Sequence, residues 1–255
     1  MKWFELGKAS HTAGGARSVS SKEVDITMNN QSNIVRAPLG LLLMTNLVLT
    51  VSCGNGGTSQ VRLLNASPGE SALTASLAGT TIGSGVQYGT ASSYTSVTSG
   101  SPTLSVTDAT TSNVIINQSI SLGAGGYYTI LAGNYSSAIN ATVLTDNNST
   151  PASGSVSIRI VNASPLLGTA DVYVLAPGTN LINTPATISS LNFESASSYL
   201  TLNPGSYEVY FTQPGQKAAI IDSGALTFTS EQIRTVVGLD GQSGGYTTAV
   251  LPDLN

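Results

Sequence analysis

The chain has 255 residues, of which only 9% are charged and 6% aromatic, with a formal net charge of −4. That sparse, acidic balance leaves no electrostatic case for nucleic-acid binding. Recurrent short runs of Val, Ile, Thr and Tyr argue against intrinsic disorder, and Ser, Thr, Gly and Asn in place of charge suit an extracytoplasmic β protein.

Residues 1–53 read as a signal-peptide region. The run Leu39–Val51 is apolar but interrupted by Asn46. It is shorter than the roughly 20 residues a spanning helix needs and fits the core of a signal peptide. Arg36 precedes it, and Leu49-Thr50-Val51-Ser52-Cys53 follows in the manner of a bacterial lipobox, with a small residue before the cysteine. Thr50 stands where leucine is usual. Cys53 is therefore expected to be lipidated, and the competing reading is an ordinary signal peptide with an incidental cysteine. Residues 1–27 carry Glu5, Glu23 and Asp25, which are out of place in a basic leader. Met28 makes a better start, with residues 1–27 as a mis-called extension. Gly54 is not the aspartate that retains some lipoproteins at an inner membrane, which points to the outer membrane or cell surface.

Processing at Cys53 changes the chemical inventory. It leaves four basic residues (Arg62, Arg159, Lys217 and Arg234) against ten acids, a net charge of −6, and it removes His11, the only histidine. Cys53 is the only cysteine, so no intramolecular disulfide can form. Without histidine or a free thiol, Ser-His-Asp and Cys-His nucleophile systems are excluded, as are zinc sites built on those ligands. No cofactor is expected.

After a tether at residues 54–59, the sequence repeats itself. Val61-Arg62-Leu63-Leu64-Asn65-Ala66-Ser67-Pro68 recurs as Ile158-Arg159-Ile160-Val161-Asn162-Ala163-Ser164-Pro165, 97 residues later. Tyr88 to Tyr94, with Ala91-Ser92-Ser93 and a later Gly100, recurs as Phe193 to Tyr199, with Ala196-Ser197-Ser198 and Gly205. Tyr127–Leu131 matches Ile233–Val237, and Val143–Asp146 matches Val250–Asp253. The order is kept while the offset drifts from 97 to 107, as loops of different length in two copies of one fold would produce. The expected organisation is one repeat over 60–146, a linker at 147–154 rich in turn formers, and a second repeat over 155–255.

Both repeats read as strands. Gln60–Leu64, Thr103–Thr107, Val114–Ile120, Tyr127–Leu131 and Ala141–Leu144 are short, β-rich and bounded by turn residues, and Ser206–Phe211 alternates as a half-buried strand does. The predicted fold class is all-β: two tandem immunoglobulin-like β-sandwich domains, with a small barrel as the second choice. The cores are expected to rest on aliphatics and on Tyr88, Tyr94, Phe193 and Tyr199.

These blocks, with Ala170–Val174 and Gly126-Tyr127-Tyr128-Thr129, resemble domain-of-unknown-function family 4397 over essentially all of residues 60–253. The resemblance implies secreted or surface-anchored bacterial proteins with such domains often in tandem, and no established activity. Asn65 and Asn162 stand where the family often has histidine, and Thr74 stands where the second copy has Asp171.

Arg62, Asn65, Arg159, Asn162 and Asp171 are the candidate binding motif. An arginine there suits a carboxylate or sulfate; the favoured reading is structural, a bridge to a fixed acid such as Asp171 or a place on the outer face of a sheet. Asn-Ala-Ser-Pro suits an Asx turn closing the first strand. Gly123–Gly126 lacks the Lys-Ser/Thr of a phosphate loop and reads as a turn, and Asp146-Asn147-Asn148 lacks the alternating acids of a calcium loop. The expected function is a non-enzymatic envelope lipoprotein, held to a membrane through Cys53, binding a glycan, peptidoglycan or envelope protein. A structural spacer with no ligand is the alternative, and a carboxylate-dependent glycan hydrolase is a remote one. Exposed tyrosines around Tyr135 or Tyr246 distinguish a binding module from a spacer.

Overall fold

The computed structural model describes residues 56–253, so the apolar run, the lipobox and Cys53 lie outside the described residues. Every regular element in it is a strand. The first half carries β1 (Thr58–Ala66), β2 (Ala72–Leu77), β3 (Thr80–Gln87), β4 (Thr95–Thr98), β5 (Thr103–Asp108), β6 (Val114–Ser119), β7 (Tyr127–Gly133) and β8 (Asn140–Asp146). The second carries β9 (Val156–Asn162), β10 (Ala170–Leu175), β11 (Ile188–Leu191), β12 (Ser195–Ala196), β13 (Leu200–Leu202), β14 (Gly205–Thr212), β15 (Ile221–Phe228), β16 (Ile233–Asp240) and β17 (Tyr246–Pro252). The chain is all-β there, and its sheets pair into β-sandwiches. Among the described residues no helix is long and apolar enough to cross a membrane.

Each half builds two sheets in the same order. An inner sheet runs β4-β1-β7-β8 and an outer one β3-β2-β5-β6. In the second half the inner sheet runs β12-β9-β16-β17, with β13 also on β9, and the outer one β11-β10-β14-β15. At the centre of each inner sheet lies a parallel pair, β1 with β7 and β9 with β16. A parallel pair cannot be closed by a hairpin and needs a long crossover. The intervening strands supply it, and most of them form the outer sheet.

Three apolar clusters hold these layers. The first lies between the sheets of the first half and includes Val61, Leu63, Leu73, Leu104 and Ile130. The second is its counterpart, with Ile158, Ile160, Val172, Phe211 and Val236. The third joins the two inner sheets: Leu64, Ala66, Leu131 and Leu144 from one half meet Val161, Ala163, Val237, Leu239 and Leu251 from the other. Burying a Val or Leu side chain is worth roughly 1.5–3 kcal/mol, so those nine residues form a true core rather than a surface contact. Residues 56–253 accordingly fall in one compact unit.

This layering explains the sequence pattern. In β1, Val61 and Leu63 enter the first cluster while Arg62, Leu64 and Ala66 face the other half. A strand covered on both faces loses its polar alternation, hence the apolar runs at 61–66 and 158–163. Outer strand β2, covered on one face, alternates buried and half-buried residues. The aromatic residues depart from expectation. Phe211 and Phe228 sit in the second cluster, whereas Tyr94 and Tyr199 are half-buried and cover the arginines.

Candidate functional site

Arg62 and Arg159 are among the largest fully buried side chains, 2% and 1% exposed. Each meets an acid at the end of the last strand of the opposite half: Asp253, just after β17, and Asp146, the last residue of β8. Arg62 Nη2 donates to Asp253 Oδ1 at 2.5 Å, Nη1 to the Pro252 carbonyl at 2.7 Å and Nε to Thr129 Oγ1 at 2.9 Å. Arg159 Nη2 lies 2.7 Å from Asp146 Oδ1, with Nη1 on the Thr145 carbonyl and Nε on Thr235. Thr129 and Thr235 donate in turn to Asp146 and Asp253 within their own halves. The Tyr94 ring lies over the Arg62 guanidinium and donates its hydroxyl to Asp146, and the Tyr199 ring lies over Arg159. The partner acids are thus Asp253 and Asp146, not Asp171. Asp146 is consequently engaged by an arginine.

Burial is the main force on the tyrosines. It pushes the Tyr199 hydroxyl up to about 12, with Arg159 pulling the other way and Asp253 and Asp146 adding to the rise. Tyr94 is raised by burial first and by Asp146 second. For Arg159, burial opposes the charge, but Asp146 and Tyr199 outweigh it and the guanidinium is held more firmly protonated.

The other repeated polar residues also serve the frame. Asn65 Nδ2 donates to the carbonyls of Glu70 and Val86, and its Oδ1 accepts from Ser67 N. Asn162 repeats this with the carbonyls of Gly168 and Leu191 and with Ser164 N. Both are fully buried Asx turns. Asp171 Oδ1 accepts from Ser190 N and Oδ2 from Gly215 N, and Thr74 Oγ1 accepts from Gly85 N. Ser190 and Gly85 are matching positions with positive φ, 54° and 58°, so Thr74 does in the first half what one oxygen of Asp171 does in the second. Gly126 closes a turn on Gly123, and a Cβ there would meet the Tyr128 ring within 3 Å. A cavity of about 380 Å³ opens beside Arg62, Ser93 and Tyr94, but that guanidinium already has three partners. Among the described residues no group of three or more His, Cys, Asp or Glu is placed to hold a metal.

The surface feature of interest lies where the repeat is broken. Asp240 ends β16, five residues beyond Thr235; the matching residue in the first half is Asn134, five beyond Thr129. Asp240 is 2% exposed. Its Oδ1 accepts from Ser164 Oγ, its Oδ2 from Tyr135 Oη at 2.7 Å and Leu166 N at 3.2 Å, and its carbonyl from Tyr88 Oη. Tyr246 pairs with it across the β16–β17 ladder. Three of the six residues with exposed large apolar side chains among the described residues are thereby gathered around Asp240: Tyr135 by its hydroxyl, Leu166 by its backbone N–H and Tyr246 as its ladder partner. The hydrogen bond to Asp240, then burial, raises the Tyr135 hydroxyl above its ordinary range. Sequence reading placed weight on Tyr135 and Tyr246 but missed Asp240 and Leu166. The usable signal was the Asn134-to-Asp240 mismatch between otherwise matching strands.

Residues 59–173 match a family model, "Domain of unknown function (DUF4397)". The match runs from β1 into β10, so it spans the first half and the opening of the second, where Arg62, Asn65, Arg159, Asn162 and Asp171 all lie. It supports one copy of the DUF4397 domain. No curated protein matches the sequence. Among solved structures, a family CBM26 carbohydrate-binding module from Eubacterium rectale Amy13K, in complex with maltoheptaose, is similar at 10% identity and a TM-score of 0.25, covering 78% of this chain and 98% of that one. The Bacillus anthracis TIE protein is similar at 9% identity and a TM-score of 0.24, covering 77% of this chain and 34% of that one.

Proposed function

We propose that this chain is a non-catalytic envelope protein, anchored by lipid on Cys53, that binds a partner at the cell surface through the patch around Asp240. The observation that carries the reading is the convergence of Tyr135, Leu166 and Tyr246 on that residue. Contiguous exposed apolar side chains of this kind mark interaction sites. Their position supports it too. The chain enters β1 at Thr58, at the end of the inner sheets where β8 closes on Asp146 and Asp253 follows β17, whereas Tyr135 follows β7 and Asp240 ends β16 at the opposite end. Nine residues of β1 at about 3.3 Å each put roughly 30 Å between the two ends. A lipid five residues before β1 would leave the patch facing outward.

Two measurements test this. The intact native protein should carry the mass of a lipid adduct, and an unmodified mass overturns the anchoring. The purified protein should be retained by isolated cell envelopes, and a Tyr135→Ala/Tyr246→Ala variant of equal stability should not; undiminished retention overturns the patch. The structural-spacer reading draws on a different observation, the third core and crossed Arg–Asp pairs that stiffen the two halves into one body.

A further inference from the structure

We infer that the patch around Asp240 takes a neutral saccharide, with sugar rings stacked on Tyr135 and Tyr246; this specification rests on the reading of the patch as a binding surface. Three features argue for it: how the rings are held, what charge surrounds them and how large the surface is.

Tyr135 is 43% exposed, yet its hydroxyl is fixed on Asp240 Oδ2. The acid is fixed in turn by Ser164 Oγ and Leu166 N. An aromatic ring tethered at its polar end presents apolar area without having to be ordered when a ligand arrives, which removes part of the entropic cost of binding. Tyr246, 37% exposed, opens β17 opposite Asp240 in the ladder. Between the two strands runs Gly241-Gln242-Ser243-Gly244-Gly245, where Gln242 and Ser243 are exposed. The surface thus offers two tyrosine rings, an apolar Leu166 and neutral hydrogen-bonding groups, the mixture of apolar lining and few polar groups typical of small-ligand sites.

Charge excludes the anionic alternatives. Four basic residues lie beyond Cys53. Arg62 and Arg159 are buried mid-strand and paired with Asp253 and Asp146, and Arg234 opens β16 at the end away from Asp240. Lys217 is held by Tyr173 and the Thr184 carbonyl. Asp240 lies within the patch, and the Glu194 carboxylate lies by Gly133, the residue before Asn134-Tyr135. A phosphate, sulfate or uronate would meet acids and no cation. Size argues against a protein. A standard protein interface takes about 800 Å² per partner, whereas three side chains and one glycine-rich hairpin suit one to a few sugar rings.

The test titrates the full-length protein with neutral oligosaccharides (chito-, cello- and malto-series) and with heparin and polygalacturonate as anionic probes, followed by calorimetry and tyrosine fluorescence. The expected result is saturable binding of at least one neutral series, weakened about tenfold or more by Tyr135→Ala or Tyr246→Ala and unchanged by Ile182→Ala, an exposed apolar residue of another loop. Circular dichroism and melting temperature confirm that each variant folds. Tyr135→Phe, which keeps the ring and loses the tether, should lie between. Neutral binding insensitive to both tyrosine variants overturns the site. Binding of only the anionic probes, or no glycan binding while envelope retention still depends on the tyrosines, overturns the saccharide and leaves the broader reading standing. Loss of both overturns the two together.

Discussion

Arg62 and Arg159 are charges removed from water, and each is compensated by an acid that arrives from the other half of the chain. Removing one partner of such a pair strands the other, at a cost of about 3–5 kcal/mol, whereas replacing both by apolar groups is often close to neutral. Arg62→Ala should therefore lower unfolding stability by about 3–5 kcal/mol in urea titrations, and Arg62→Met with Asp253→Leu should recover most of it. A single variant as stable as the parent would show that the pair does not hold the two halves together. The tyrosines over the arginines give a second prediction at this scale. Tyr199 is raised from 10.0 to about 12 in the fold, and Tyr94 is raised as well, so the native state favours their neutral forms. Their contribution is complete below pH 10 and is lost as pH rises towards 12, because the unfolded chain gives up those protons first. The urea midpoint should fall across that window, and Tyr199→Phe should flatten the fall.

Among the elements, the first strand of each half is fixed by the same set of polar groups. Asn65 and Asn162 close the Asn-Ala-Ser-Pro turn and hold a carbonyl at the end of β3 or β11. Ser92 and Ser197 accept from Leu63 N and Ile160 N on the edge of β1 and β9. These contacts settle where the strands end, which apolar periodicity alone does not, because β1 and β9 are apolar on both faces. Truncating either asparagine leaves two buried carbonyls without their donor. Asn65→Ala and Asn162→Ala should each cost about 1–3 kcal/mol, read as a shift in the chemical-denaturation midpoint, and the two effects should be similar in size. Binding by a variant that still folds should be unaffected, since neither side chain reaches the surface.

Taken whole, the described chain has three cores, and the middle one belongs to neither half alone. Unfolding should therefore be one cooperative transition, with circular dichroism and tyrosine fluorescence superimposing in urea. Two separated transitions would mean independent halves. Residues 56–146 alone would expose Leu64, Leu131 and Leu144 and leave Arg62 without Asp253, so that piece should associate or stay unfolded, as size-exclusion chromatography would show. The same arrangement gives the aromatic patch its position, because Tyr135 comes from one half and Asp240, Leu166 and Tyr246 from the other.

Much of the frame was legible in residue order. Strand class followed from β-branched runs between turn residues. The Asx turns followed from Asn-Ala-Ser-Pro, because that chemistry is local. Tertiary structure alone decided what the arginines meet. Arg62 and Asp253 are 191 residues apart; the repeat marks Asp146 and Asp253 as matched positions and leaves Asp171 without a matching acid, but that each arginine takes the acid of the other half follows only from how the inner sheets face each other. It also decided that the apolar runs at 61–66 and 158–163 face two cores rather than one, since double-sided burial is a property of neighbouring layers and not of the strand itself. The patch depends on it most. Tyr135 and Leu166 lie in loops after β7 and β9 and Tyr246 opens β17, and they become one surface only because the ends of β7, β9 and β16 come together around Asp240.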